Sequence, residues 1–87
     1  METCFLCKRV CRLETHHIFP GVGLRKKSDR YGLVVRICPE CHREVHREWT
    51  KRLELKQYGQ RKAMEENGWT ISDFIREFGR NYLEVED

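Results

Sequence analysis

The chain has 87 residues, of which 17 are Lys or Arg and 14 are Asp or Glu, giving a formal net charge of +3. This length suffices for one small domain, whose core is marginal enough that a bound metal commonly helps to stabilise it. No apolar run of about 18 residues is present, which argues against a membrane span. The first ten residues, METCFLCKRV, lack the pattern of a signal peptide. We therefore expect a cytoplasmic protein with reduced thiols.

Basic residues are concentrated in the first half of the chain. Residues 1–50 contain 10 Lys/Arg and 6 Asp/Glu, net +4, whereas residues 51–87 contain 7 and 8, net −1. A basic region suggests an anionic partner, and nucleic acid is the commonest one. A mixed charged surface that keeps the protein soluble explains the same counts, so charge alone does not decide between them.

The N-terminal half predicts a turn and two short strands. Residues 1–14 contain a CxxC pair and little helical periodicity, which predicts a zinc-knuckle-like turn followed by extended chain. Residues 15–19, THHIF, have strand character and stop at a Pro-Gly turn. Residues 20–32 contain three glycines, one proline and four basic residues, which predicts a loop. Residues 33–37, LVVRI, predict the second strand.

The next segment predicts helices. Pro39 suits the first turn of a helix, where its missing N–H costs nothing. Residues 39–57 are expected to continue as one helix, with Val45, Trp49 and Leu53 as its buried stripe. A further helix is predicted through residues 60–66, QRKAMEE, and is expected to end near an Asn-Gly pair at residues 67–68.

The last predicted helix starts at residues 70–73, TISD. This sequence predicts a capping box, or a cap formed by Ser72 alone. Apolar and aromatic residues then recur at helical spacing, which predicts that they pack in the core: Ile71, Phe74, Ile75, Phe78 and Tyr82.

Four of the five cysteines form two CxxC pairs separated by 30 residues, Cys4/Cys7 and Cys38/Cys41. Zinc prefers four tetrahedral ligands, and each CxxC turn presents two thiolates to one ion, so the pairs predict a structural four-cysteine site. Disulfides, which a reducing compartment disfavours, and unliganded thiols are the alternatives. Cys11 has no CxxC partner and is expected to be a small buried hydrophobe.

All four histidines lie in two short segments beside these pairs. His42 and His46 are four residues apart on the predicted helix, so both project from one face and can grip one ion. A third ligand must come from His16 or His17, which point to opposite faces of a strand. Three protein ligands leave a coordination position of the metal open, as in catalytic sites. Alternatively, His42 or His46 replaces a cysteine in the structural site.

A zinc deaminase is a further protein class that combines such ligands. Deaminases require an H-x-E segment upstream of P-C-x-x-C. Here Pro39 lies inside the cysteine pair, and neither adjacent histidine is followed by Glu two positions later. The sequence therefore argues against a deaminase.

The combination of CxxC, HHIF, a strand and CPECHREVH resembles the HNH endonucleases, which have a ββα-metal fold. The resemblance covers residues 4–47. It implies a small α+β protein, with one HNH nuclease domain over residues 1–87: a zinc and ββα-metal core at 4–47 and a helical C-terminal extension at 48–87. The segments GQRKAMEENGWT and FGRNYL resemble the tails of small HNH proteins from bacteriophages, which implies a phage-encoded protein or one from a bacterial host cell.

The resemblance also implies a role for each ligand-type residue. His17 matches the general base, and His16 matches the metal ligand that precedes it. His42 and His46 match the helix histidines that complete the catalytic metal site. The structural zinc ligands are matched by Cys4, Cys7, Cys38 and Cys41. The catalytic ion is expected to be Mg²⁺, Mn²⁺, Ni²⁺ or Zn²⁺, and three imidazoles favour a transition metal.

The chain departs from the family at the middle asparagine of HNH, which lies just before the second strand. Residues 32 and 33 are glycine and leucine, and the two asparagines of the chain, Asn67 and Asn81, lie downstream. The family asparagine helps to hold the loop that orients the base. Ser28, Asp29 or backbone contacts are the expected substitutes.

The implied reaction is hydrolysis of phosphodiester bonds in DNA, expected to be double-stranded, which leaves 5′-phosphate and 3′-hydroxyl ends. Six basic side chains are expected to contact the DNA backbone, although a solvated face explains them equally: Arg25, Lys26, Lys27, Arg30, Arg43 and Arg47. One alternative is a zinc-dependent DNA-binding module that does not cut. Another is a protein-interaction module that uses the C-terminal helices, with a phage DNA-processing protein as its partner.

Overall fold

The computed structural model describes residues 2–83. It confirms a small α+β architecture, because the described residues form a two-stranded antiparallel sheet and four helices. In the sheet, His16 lies opposite Val35 and His17 opposite Val34. The elements in chain order are β1 (Glu14–His17), α1 (Leu24–Arg30), β2 (Val34–Ile37), α2 (Pro39–Arg47), α3 (Trp49–Asn67) and α4 (Ile71–Phe78). Within residues 2–83, no helix has the length and apolarity needed to cross a membrane.

The N-terminal segment forms the predicted turn around the first cysteine pair. Thr3 and Val10 form an antiparallel bridge. The Cys4 N–H donates to the Arg9 carbonyl at 2.8 Å, and the Lys8 N–H donates to the Cys4 carbonyl at 3.0 Å. Lys8 has a φ of 67°, so the chain reverses through the left-handed region. This tight turn presents both cysteines of the pair.

The predicted loop at residues 20–32 was wrong over most of its length, because it contains α1. No side chain caps the start of this helix, and its sequence lacks an apolar stripe. It is held instead by Ser28, which is fully buried. The Ser28 hydroxyl accepts from the Phe19 N–H at 3.2 Å and donates to the Phe19 carbonyl at 3.1 Å. A tertiary anchor therefore stabilises a helix that local signals do not indicate.

The single helix predicted over residues 39–57 is divided at Glu48, whose φ of −113° and ψ of 113° are extended. Beyond it, α3 runs unbroken and absorbs the helix predicted at 60–66. The Arg52 Nη1 donates to the carbonyls of Val45 at 3.0 Å and His46 at 2.5 Å, near the end of α2, where carbonyls lack helical partners. Because the break changes the helical phase, Val45 is buried but Trp49 is 64% exposed, and the predicted buried stripe is wrong at Trp49.

Phe19 joins the strand region to the C-terminal helices. Its ring centroid lies 5.6 Å from that of Phe74, 4.8 Å from that of Phe78 and 5.5 Å from that of Tyr82. On α3, a Cβ added at Gly59 would come within 3.0 Å of Ile18 Cγ2, which explains a glycine in mid-helix despite its entropic cost. The core therefore draws on both the predicted metal-binding region and the C-terminal helices.

The predicted start of α4 is confirmed as a capping box. The Thr70 hydroxyl accepts from the Asp73 N–H at 3.2 Å, and the Asp73 carboxylate accepts from the Thr70 N–H at 3.0 Å. Core packing of the following stripe holds for the buried Phe74 and Phe78, but Ile71 and Ile75 are 38% and 39% exposed.

Candidate metal centres

The two CxxC turns converge into one cluster, as predicted. The sulfur atoms of Cys4, Cys7, Cys38 and Cys41 all lie within 4.8 Å of one another. The Cys7 and Cys38 sulfurs are 3.8 Å apart, which is too far for a disulfide and close to the edge of about 3.8 Å that a tetrahedron with Zn–S bonds of 2.3 Å requires. The four-cysteine group can therefore hold a structural metal ion such as zinc.

The fold positions backbone N–H groups around these sulfurs. Burial opposes ionisation of Cys4, yet N–H groups of Cys7, Cys38 and Leu6 donate to its sulfur and lower its pKa to about 6. The Cys41 N–H lowers the pKa of Cys38, whereas burial and the neighbouring thiols raise the pKa of Cys41. Repulsion among four adjacent thiolates opposes their joint ionisation, and a bound cation would offset that repulsion.

Cys11 lies outside this cluster. It is half-buried and packs against the core, rather than fully buried as predicted. Burial is the main cause that raises the pKa of its thiol, followed by the charge of Cys38. Cys11 therefore behaves as a protonated, partly buried apolar side chain.

Three histidines form a second cluster that is separate from the cysteines. Ligand nitrogens of His16, His42 and His46 all lie within 4.8 Å of one another. The ring centroids are 5.3 Å apart for His16 and His42, 5.7 Å for His16 and His46, and 4.8 Å for His42 and His46. The helix pair and one of the two strand histidines therefore meet, and His16 is the one that joins them.

A carboxylate orients one ring of this cluster. The Nδ1 of His42 lies 2.7 Å from Oε1 of Glu14, so the tautomer that carries its proton on Nδ1 donates to the carboxylate and offers Nε2 to an ion. Such carboxylate–imidazole pairs commonly fix metal-binding histidines. Glu14 was not indicated by the sequence pattern, although it lies two residues before His16 and hence on the same face of β1.

His16 is buried, whereas His46 is exposed. Burial, followed by the nearby His42, His46, His17 and Lys56, lowers the pKa of His16 to about 4. The His16 ring is therefore neutral at pH 7 and retains a lone pair that can bind an ion. The cluster runs from a dry interior to the surface, which gives an ion a route to solvent.

His17 takes a different partner from its neighbour. Its Nε2 lies 2.9 Å from Oδ1 of Asp29 on α1. The helix that carries Asp29 is fixed by the buried Ser28, whose hydroxyl bonds to both backbone groups of Phe19. Asp29 thus bonds His17, and Ser28 anchors the helix that carries Asp29.

The six basic residues predicted to contact DNA do not form one patch of equivalent side chains. Arg25 and Lys26 are exposed on α1, and Arg43 and Arg47 are exposed on α2. The Lys27 Nζ donates to the Glu77 carbonyl at 2.6 Å and lies 3.5 Å from the Glu77 carboxylate. The Arg30 guanidinium lies 5.9 Å from the centroid of the Tyr31 ring. Lys27 is thus engaged in packing α1 against α4.

Comparison with known proteins identifies no relative. No protein-family model matches this chain, no curated protein matches it, and no solved structure matches it. The resemblance to HNH endonucleases therefore stays a prediction from the residue pattern.

Proposed function

We propose that the protein is a metal-dependent DNA endonuclease of the HNH type, with a ββα-metal core at residues 4–47. The observation that carries this proposal is the convergence of His16, His42 and His46 into an open three-ligand cluster, adjacent in sequence to a histidine that bonds a carboxylate. In this proposal the four-cysteine zinc stabilises the fold, and the histidine cluster serves the reaction.

The histidine cluster fits a divalent cation. Three imidazoles approach one another closely, and Glu14 orients one of them. A cation bound there would neutralise charge that develops on the scissile phosphate and on the leaving oxygen. An all-nitrogen ligand set favours Ni²⁺ or Zn²⁺ over Mg²⁺ and Mn²⁺, which prefer oxygen ligands.

His17 is the proposed general base. Asp29 accepts a hydrogen bond from Nε2, which holds the proton on that nitrogen and leaves Nδ1 with its lone pair. Among residues 2–83, no hydrogen bond occupies Nδ1, so this atom is free to take a proton from the attacking water. Asp29 is a positioning residue here, since it acts through the imidazole.

The proposed DNA contacts are the exposed cations near this site. Arg25 and Lys26 on α1 follow the segment that carries the base, and Arg43 and Arg47 lie on the helix that carries two proposed metal ligands. Charged side chains at these places would bind phosphates of the DNA backbone. Lys27 contributes less in this proposal, because it is bonded to α4.

The test is incubation of supercoiled plasmid with the protein at a fixed zinc content, with and without added Mn²⁺ or Ni²⁺. Nicked or linear product that depends on the added ion and is lost in His17→Ala supports the proposal. Asp29→Asn should retain part of the activity, because the amide oxygen still accepts the hydrogen bond. A parent protein that binds DNA but does not nick it with any divalent ion would favour the non-cutting zinc-dependent DNA-binding module.

A further inference from the structure

One face of α3 combines an exposed indole with several cations. Trp49, Arg52, Leu53 and Lys56 follow the i, i+3, i+4, i+7 spacing that ordinarily marks a buried stripe. Together with Arg80 and Tyr82 they line a surface cavity, termed here the α3 cleft. Trp49 is the most exposed aromatic residue of this group, at 64%. These four residues therefore lie on one face of α3, where an exposed indole and two cations are neighbours.

Positive charge in the α3 cleft is not balanced within the described chain. The Lys56 Nζ and the Arg80 Cζ lie 5.3 Å and 5.4 Å from the centroid of the Tyr82 ring. Among residues 2–83, no carboxylate forms an ion pair with Arg52, Lys56 or Arg80. Burial, followed by the charges of Arg52 and Arg80, lowers the pKa of Lys56. An anionic ligand would relieve this repulsion.

The α3 cleft adjoins the histidine cluster. The Arg52 Nη1 of the cleft donates to the backbone carbonyl of His46, one of the three clustered histidines. A polymer that reaches the histidines therefore passes close to these cations. The cleft is thus placed to hold the part of a ligand that extends beyond the reacting group.

A site for single-stranded nucleic acid has two components, cations and an exposed aromatic ring, and the α3 cleft contains both. The cations bind successive phosphates, and a base stacks on the ring. In an intact duplex the bases stack on one another and cannot reach an indole, so a base on Trp49 must be unpaired. An apolar partner would add no counter-charge to these three cations, which have no ion pair among residues 2–83.

We propose that the α3 cleft binds an unpaired stretch of the DNA strand, so that the protein prefers junctions between single- and double-stranded DNA to uninterrupted duplex. This inference rests on the proposed nuclease function for its biological meaning. It assigns Trp49 to base stacking and assigns Lys56 and Arg80 to phosphate contacts. None of these residues was among those that the sequence pattern suggested for DNA binding.

The test measures binding rather than cleavage, by fluorescence anisotropy on His17→Ala protein. The probes are a blunt duplex and the same duplex with a single-stranded overhang of about eight thymidines, within the usual site size. Trp49→Leu is expected to weaken overhang binding by about 5- to 150-fold, the usual range for one base–aromatic stack, with little effect on the blunt duplex. Trp49→Phe, which keeps a ring, should retain part of the binding.

The charge contribution is tested on the overhang probe by salt titration. Replacing Lys56 and Arg80 with alanine should reduce the slope of log affinity against log salt by about 1.4, because each contact to a single strand contributes about 0.7. The matched control replaces Arg12 and Arg61, which are exposed and lie outside the cleft, and should leave the slope near that of the parent.

Two results would overturn the inference. In the first, Trp49→Leu binds the overhang probe as tightly as the parent does. In the second, Trp49→Leu loses as much affinity for the blunt duplex as for the overhang probe, which would indicate a contact that does not need an unpaired base. Plasmid nicking by the unmutated protein tests the proposed function separately. A protein that nicks but binds overhangs without Trp49 would refute the cleft alone, whereas one that needs Trp49 but never nicks would refute the nuclease alone.

Discussion

The four-cysteine cluster and the three-histidine cluster share α2, yet their environments differ. Cys41 lies in the first turn of this helix, His42 follows it directly, and His46 lies one turn later. The cysteine cluster has four protein ligands, three of them buried, and receives N–H···S hydrogen bonds from its own turns. The histidine cluster has three ligands and extends from a buried ring to an exposed one. The two clusters thus differ in residue number and burial, and in the proposed function the closed one stabilises the fold and the open one serves the reaction.

The shared helix also makes the two sites depend on each other unequally. An ion at the cysteines would hold the start of α2 against the N-terminal turn, and that contact determines where His42 and His46 lie. An ion bound at the histidines would bridge β1 and α2, which are already joined through the sheet and the core. Loss of the first ion should therefore disable both sites, whereas loss of the second should leave the first intact.

The largest expected effect is that of removing the cysteine ligand set. Cys38→Ala should abolish tight zinc binding and the cooperative thermal transition, because a structural zinc contributes an apparent 10–16 kcal/mol, roughly the whole stability of a small domain. Zinc content by elemental analysis and circular dichroism melts would show this. Cys11→Ala is the matched control and should keep the zinc. A zinc-free preparation of the parent that melts cooperatively would contradict the prediction.

The next largest effect is expected at His17 and distinguishes catalysis from metal binding at the histidine cluster. His17→Ala should retain the zinc, the fold and the affinity for a divalent ion, yet lose about 10²–10⁴-fold in cleavage rate, the usual contribution of a general base. Plasmid nicking over a metal titration measures it. Rescue by excess metal, or cleavage equal to that of the parent, would show that His17 does not act as the base.

Replacing any one of the three proposed metal ligands should weaken binding of the second ion, which replacing His17 should not. His42→Ala should weaken binding of the second ion, and nicking should partly return at high metal concentration because occupancy is restored by mass action. His16→Ala and His46→Ala should behave alike, and none of the three should release zinc. Zinc loss from His42→Ala or His46→Ala would instead favour an imidazole in the structural site.

A smaller effect is expected from replacing Glu14, the carboxylate that bonds to His42. Glu14→Gln removes the charge that orients His42, and such changes typically weaken metal affinity by about 10- to 100-fold. Isothermal titration with Ni²⁺ would measure the shift. The control, Glu40→Gln, removes an exposed charge from α2, the helix that carries His42, and should leave the affinity for Ni²⁺ unchanged. Equal behaviour of the two variants would mean that Glu14 is not a positioning residue.

The smallest predicted change concerns DNA binding by α1. Replacing Arg25 and Lys26 with alanine should reduce the salt slope on duplex DNA by about 1.8, because each phosphate contact contributes about 0.9. Lys27→Ala should mainly lower the melting temperature instead, since Lys27 packs α1 against α4. An unchanged slope after the double replacement would indicate that these two side chains only face solvent.

Much of the local structure was predictable because its causes lie within a few residues. A CxxC spacing sets two sulfurs on one turn, a Thr-x-x-Asp sequence sets a capping box, and an i, i+4 histidine pair sets two rings on one helix face. The predicted convergence of the cysteines and of three histidines followed from that logic combined with ligand number. Neither set needed more from the rest of the fold than a shared core.

The sequence by itself thus determined the ligand-type pairs, both strands and the start of α4, all of which rest on residues that lie close together in the chain. Only the tertiary structure decided that α1 is a helix, that α2 ends before Glu48 and that Trp49 faces solvent. It also decided which carboxylates meet His42 and His17, at separations of 28 and 12 residues. The anchor of α1 and both carboxylate contacts depend on hydrogen bonds between residues 9 to 28 positions apart in the chain, and such bonds leave no repeating pattern in the sequence.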